Sequence, residues 1–240
     1  MRAVAEGLFG AWTWLVGGFC LAPVLAVLLL PWPRLRWRVA HRMLRAGFAL
    51  SGLAPRVTGR LPAGAAVLAV NHASYIDGLL LVAVLPEPVA FVAKQELAGH
   101  PLLGSLLRRY GVVFVERFDV RRSAEDARRL AAGDVGSRLL FFPEGTFGPF
   151  AGLREFRLGA FQVAASRGLP VLPVALRGTR ELLRDGRWLP RAVRPAVDFG
   201  EPLFPSGTDW AAALDLRDRA RAAILERCGE PDAAAVEGSD

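Results

Sequence analysis

Five short apolar runs recur along the chain: AAVLAV, VAFVA, GVVFV, RLLFF and LPVLPVAL. They begin roughly 20 to 30 residues apart, the length of a strand–helix–strand unit. Several are apolar throughout, as strands covered on both faces must be. This predicts an α/β fold with a mostly parallel or mixed central sheet covered by helices. The ends of the runs constrain the chain further. VLAV leads into Asn71 and His72, FVA into Lys94, VVFVE into Arg117 and LLFFP into Glu144. Ligands bind at the carboxyl edge of open α/β sheets. One polar residue after a strand carries no weight. Four, including a histidine and the chain's only lysine, point to a site.

The amino terminus imposes a second constraint. From Leu8 to Leu30 there is no charge. As one helix this run would be about 34 Å long, the thickness of a bilayer's hydrocarbon core. Trp12 and Trp14 stand near one end, Trp32 and Trp37 near the other, where interfacial aromatics sit. Gly17, Gly18 and Pro23 interrupt the run, so a re-entrant hairpin competes with a full span. RLRWRVAHRMLRAGFAL follows, its arginines interleaved with apolar residues. It reads as a basic helix on anionic headgroups, with His41 at its surface. The positive-inside rule then puts the rest of the chain on the cytoplasmic face of the membrane. Three segments result: 1–52 membrane-embedded and interfacial, 53–228 the α/β body, and 229–240 a disordered acidic tail. Within the body, TDWAAALDLRDRARAAILERC has the form of a capped amphipathic helix.

Thirty basic residues stand against 23 acidic ones, a net charge of +7. Such a balance fits a membrane surface, an anionic substrate or nucleic acid. No nucleic-acid partner is expected, because the aromatics gather in the amino-terminal segment and not along a basic groove. Cys20 and Cys228 form no paired motif, which fits a reducing compartment. There is no phosphate-binding loop, dinucleotide glycine fingerprint, serine-nucleophile elbow or metal-ligand spacing.

What remains is VNHASYIDGLL, residues 70–80. His72 and Asp77 lie five apart and would not face each other on one helix. They meet if His72 is in a loop and Asp77 in the first turn of the helix after it. Ser74 and Asp77 then have capping-box spacing, so Asp77 reads either as a helix cap or as the orienter of an imidazole base. The two roles are compatible. His100, in AGHPLLG, reads as a loop residue without a role.

NHASYID is followed in order by GVVFVER (111–117), FFPEGT (141–146) and LPVLPVALRG (169–178). Over residues 59 to 203 the chain resembles the lysophospholipid acyltransferase superfamily, best known for 1-acylglycerol-3-phosphate acyltransferases. The resemblance implies transfer of a fatty acyl group from acyl-CoA or acyl-carrier protein to the free hydroxyl of a lysophospholipid. The foremost acceptor is 1-acyl-glycerol-3-phosphate, giving phosphatidic acid, and no cofactor is implied. His72 becomes the general base and Asp77 its orienter. Gly111, Phe114 and Arg117 match the second motif, Glu144, Gly145 and Thr146 the third, and both help bind the acceptor. Pro173 matches the fourth, and Lys94 stands where members often carry a lysine.

Backbone N–H groups around Pro143-Glu144-Gly145 are the expected donors to the oxyanion. Lys94 and Arg117 are expected to hold the anionic headgroup. The pattern departs after the third motif, where Phe147 and Gly148 replace the usual arginine and serine. Arg154 or Arg157 is the expected substitute. Another lysolipid acceptor, and a non-catalytic lipid-binding module, are the competing readings. The sequence assigns no oligomeric state.

Overall fold

The computed structural model describes residues 2–115 and 138–233. Two helices lead, α1 (Arg2–Ala26) and α2 (Pro33–Leu50), joined through a 3₁₀ turn at Val27–Leu29. The body follows as β1 (Arg56–Thr58), β2 (Ala66–Val70), α3 (Asp77–Val84), β3 (Ala90–Lys94), α4 (Gln95–Ala98), α5 (Pro101–Arg109) and β4 (Val113–Val115). After the undescribed segment come β5 (Arg138–Phe141), α6 (Gly159–Arg167), β6 (Val171–Arg177), α7 (Thr179–Leu182), β7 (Ala196–Phe199) and α8 (Trp210–Cys228).

The seven strands order as β1-β7-β6-β2-β5-β3-β4. Five run parallel; β7 is antiparallel to β6, and β1 is parallel to β7. The expected mostly parallel sheet is present, and all five apolar runs are strands. β1 and β7 were not expected. RVT is too short and too exposed to carry a pattern, and AVDF holds an aspartate.

β2 is buried along its whole length. Its alternation splits the core in two. Val67 and Ala69 join Phe161 of α6 with Leu216 and Ile224 of α8 on one face. Leu68 and Val70 join Leu80 and Leu81 of α3 with Trp37 of α2 on the other. Each fully buried Leu or Phe contributes roughly 1.5–3 kcal/mol. α8 starts as the sequence predicts, with Asp209 accepting from the Ala212 N–H at 2.9 Å.

α1 runs unbroken through Gly17, Gly18 and Pro23, so no hairpin forms inside the apolar run. Only 22% of its most apolar window is buried, far less than in a core helix, and it associates the chain with a membrane. α2 folds back along it: the Trp12 indole donates to Leu50 O at 3.2 Å, and Cys20 packs beside Gly47. Arg34, Arg38, Arg42 and Arg45 form an exposed stripe on α2. Its opposite face corrects two expectations. Trp37 is 4% exposed and donates to Leu85 O, serving the core and not an interface. His41 bonds Val82 O at 3.0 Å and is half-buried, because α2 lies against α3.

The tail also differs from expectation over its first residues. The Leu153 N–H donates to Pro231 O and the Ala233 N–H to Leu153 O. Glu230 pairs with Arg180, and Asp232 with Arg221. Backbone pairing and two ion pairs hold 230–233 in place; residues 234–240 lie outside the described ones.

Candidate active site

β2 ends at Val70, and Asn71 secures the turn that follows. Its amide donates to Leu176 O at 3.0 Å and accepts from the Leu176 N–H at 2.6 Å. This ties the loop to β6 and sets the direction of the next residue, His72. Asp77, first residue of α3, is wholly buried. Its Oδ2 accepts from the Ala73 N–H at 2.7 Å and the Ser74 N–H at 2.8 Å, and meets His72 Nδ1 at 2.8 Å. Oδ1 is buried with no partner among the described residues. Only half of the capping box forms. The carboxylate reaches back to the Ser74 N–H, but the Ser74 hydroxyl donates to Leu183 O. Asp77 is thus both a loop cap and the partner of the imidazole.

The ring of His72 is 20% exposed. Phe142 stacks on one face at 4.2 Å between centroids, and Phe147 meets it edge-on at 4.5 Å. Phe147 in turn meets Tyr75 at 4.7 Å, and the Tyr75 hydroxyl donates to Asp185 at 2.8 Å. Nδ1 held by a carboxylate fixes the tautomer and leaves Nε2 to take a proton.

Glu144 also has structural work at the site. The carboxylate assigned to the acceptor lies buried and clamps the chain. Oε1 accepts from the His72 N–H at 2.6 Å and Oε2 from the Arg154 N–H at 3.0 Å. Burial pushes its pKa up to about 7, against the two backbone bonds that favour the ionised form. Between the ordinary 4.5 and about 7, the folded chain holds a proton that the unfolded chain has lost. Stability must therefore fall as pH rises through that window. A thermal melt series should show this decline, and Glu144→Gln should flatten it.

Gly145 sits after β5 with φ +75°, and its N–H donates to Phe142 O at 2.9 Å. That bond closes a tight turn, so this N–H is not one of the expected oxyanion donors. Thr146 is exposed beside it. The Arg157 N–H donates to Pro143 O at 2.9 Å, and the Arg154 carbonyl accepts from Arg221. Both arginines therefore flank the Pro143–Glu144 turn. Lys94 ends β3, two strands from β2, which places its backbone roughly 10 Å along the same edge.

Gly111 is not at that edge. It precedes β4 at the amino end, with φ +77°. Its N–H donates to Arg108 O and that of Val112 to Leu107 O, a Schellman closure of α5. It terminates α5 at the amino end of β4. Phe114 lies in β4 with the Arg108 guanidinium 6.0 Å from its ring centroid. Arg117 lies outside the described residues. His100 caps α5, accepting from the Leu103 N–H at 3.2 Å. Phe142 and Tyr75 are not foreseen at the site, and Asn71 is legible in the sequence only as the polar end of a strand, without its part in fixing the loop to β6.

A family model described as Acyltransferase matches residues 54–177, just over half of the chain. The chain belongs to the acyltransferase family. This acyltransferase is 30% identical over 199 residues to a 1-acyl-sn-glycerol-3-phosphate acyltransferase of Limnanthes douglasii, covering 78% of the chain and 68% of that relative. It is 38% identical over 139 residues to one of Neisseria gonorrhoeae, covering 57% and 51%. A chloroplastic relative of Brassica napus is 33% identical over 117 residues, covering 48% and 34%. The acyltransferase thus spans from about a third to two thirds of these relatives' lengths. Among solved structures, the 1-acyl-sn-glycerophosphate acyltransferase PlsC of Thermotoga maritima has the same fold. The TM-score is 0.66 at 22% identity, over 94% of this chain and 97% of that one.

Proposed function

We propose that this acyltransferase moves a fatty acyl group from acyl-CoA or acyl-carrier protein to the free hydroxyl of 1-acyl-glycerol-3-phosphate, forming phosphatidic acid. The reading rests chiefly on the His72–Asp77 pair, a partly exposed imidazole with one ring nitrogen held by a buried carboxylate. Likeness to several acyltransferases of that acceptor supports the choice of substrate. The domain responsible is 53–228, working at the cytoplasmic face, to which the arginine stripe of α2 points.

An alcohol is too weak an acid for imidazole to ionise outright. His72 Nε2 takes the hydroxyl proton while the oxygen attacks the thioester carbonyl, a form of help worth roughly 10² to 10⁴ in rate. The carbonyl becomes an oxyanion. It collapses, the C–S bond breaks, and the imidazolium returns its proton to the leaving thiolate. No covalent enzyme intermediate is needed. The buried Asp77 carboxylate favours the imidazolium while it lasts.

Thiol release against a panel of lysolipids tests this. The highest kcat/KM should fall to lysophosphatidic acid. Preference for an uncharged or zwitterionic lysolipid, or no release at all, overturns it. Phe147 stands where a phosphate-binding arginine is usual, so Lys94, Arg154 and Arg157 carry the headgroup in this reading. Charge-assisted bonds contribute roughly 1.5–3 kcal/mol each. Replacing Arg154 and Arg157 with alanine should raise the acceptor KM at least about tenfold, leaving the donor KM unchanged. An unchanged acceptor KM removes both arginines from the site.

A further inference from the structure

The segment 183–191, between α7 and β7, has no part in the chemistry above. It reads LRDGRWLPR. Arg184, Arg187 and Arg191 are exposed, with no ion pair among the described residues. Between them Trp188 is 79% exposed and Leu189 55%. A large indole left bare inside a group of arginines is unusual on a surface meant for water. With Arg180, the three arginines line a cleft of about 250 Å³, where Glu181 is the one acidic lining residue. Arg180 is neutralised by Glu230, and Asp185 already accepts from Tyr75.

The segment is fastened to α1. The Trp14 indole donates to Trp188 O at 2.6 Å. Gly10 approaches so closely that a Cβ there would stand 2.9 Å from Leu189 Cδ2. Trp14 is itself exposed, with Leu21 and Leu25 on the same face of α1, so that bare apolar face continues into Leu189 and Trp188. Beyond these two residues the surface turns cationic. An apolar helix, then an indole, then unpaired arginines is the order met on crossing from hydrocarbon to an anionic headgroup layer.

We propose that residues 183–191 form a second membrane-docking surface, in which Trp188 and Leu189 enter an anionic phospholipid layer and Arg184, Arg187 and Arg191 hold its headgroups. The inference rests on the membrane reading of α1 and not on the identity of the acceptor. Continuity with α1 favours a bilayer over an acidic carrier protein. The site lies close by, since Leu183 O accepts from the Ser74 hydroxyl at the His72 loop. Docking here would keep the His72 edge at the headgroup level, where a lysolipid hydroxyl is found.

The test places one fluorophore. Cys20 and Cys228 are each 3% exposed, so the full chain takes label at an introduced Trp188→Cys. Asp218→Cys on α8, across the sheet from α2 and α3, is the control. Both are reconstituted into vesicles of phosphatidylglycerol with phosphatidylcholine, and into phosphatidylcholine alone. In anionic vesicles, quenching by acrylamide should be several-fold weaker at 188 than at 218, and lipid spin-labelled near the headgroup should quench only 188. Combining Arg184→Gln, Arg187→Gln and Arg191→Gln should undo that protection, each arginine counting for about fivefold. Turnover of the triple variant on detergent-dispersed lysolipid should be unchanged, so failed docking and failed acyl transfer read separately. Equal acrylamide access at 188 and 218 overturns the proposal. So does protection at 188 that appears only when acyl-carrier protein is added, which would make the face a protein-docking surface.

Discussion

Replacing His72 with alanine should lower kcat by about 10³ or more while leaving the melting temperature within a few degrees. The ring is partly exposed and stacks on Phe142, so its loss removes modest packing. The rate loss reflects general-base catalysis, itself worth roughly 10² to 10⁴. Asp77→Asn is the sharper companion. An asparagine oxygen can still accept from Ala73 and Ser74, so the loop keeps its shape. It no longer offers a charge to an imidazolium, and its amide favours the wrong tautomer. Comparable removals of an orienting carboxylate elsewhere cost up to about 10⁴ in kcat. Single-turnover acyl transfer with saturating lysophosphatidic acid, read beside a thermal melt, separates these effects. Activity lost only in step with stability would return His72 to the role of an ordinary packed residue.

Glu144→Ala should be the most damaging change to the fold near the site. It strips the acceptors from two N–H groups, those of His72 and Arg154, around a residue only 6% exposed. Each orphaned donor costs roughly 1–3 kcal/mol, so unfolding free energy should drop by several kcal/mol. Because one of those bonds is to the backbone of His72 itself, kcat should fall as well, at temperatures where the variant remains folded. Denaturant titration and turnover on the same preparation test both parts. Glu144→Gln should recover part of the stability, since its amide oxygen can satisfy one N–H.

The strands that carry the site could be read from the sequence because they are nearly all apolar and end in ionisable groups. His72 and Asp77 could be paired because five residues across a loop and a helix start bring them together. Other features depend on tertiary contact. Trp37 and His41 look interfacial on α2, and only the packing of α2 against α3 turns them inward. Glu144 is legible as part of a motif, but its work is done on backbone N–H groups, which leave no trace in residue identity. Gly111 shows the reverse case: a motif glycine whose φ of +77° meets the needs of a helix end. Phe147, read as a missing phosphate contact, is also an edge-on neighbour of the imidazole. The exposed β1 has no period to detect.

The clamp between His72 and Glu144 joins positions 72 residues apart. At a translation speed of roughly 5–20 residues per second, that is about 4 to 15 s of further synthesis. A nascent chain therefore has its greasy leading helix, and can settle in lipid, well before its imidazole is locked in place. Acyl transfer can begin only after the ribosome has delivered Glu144 and Arg154, so placement in the bilayer comes first and competence second.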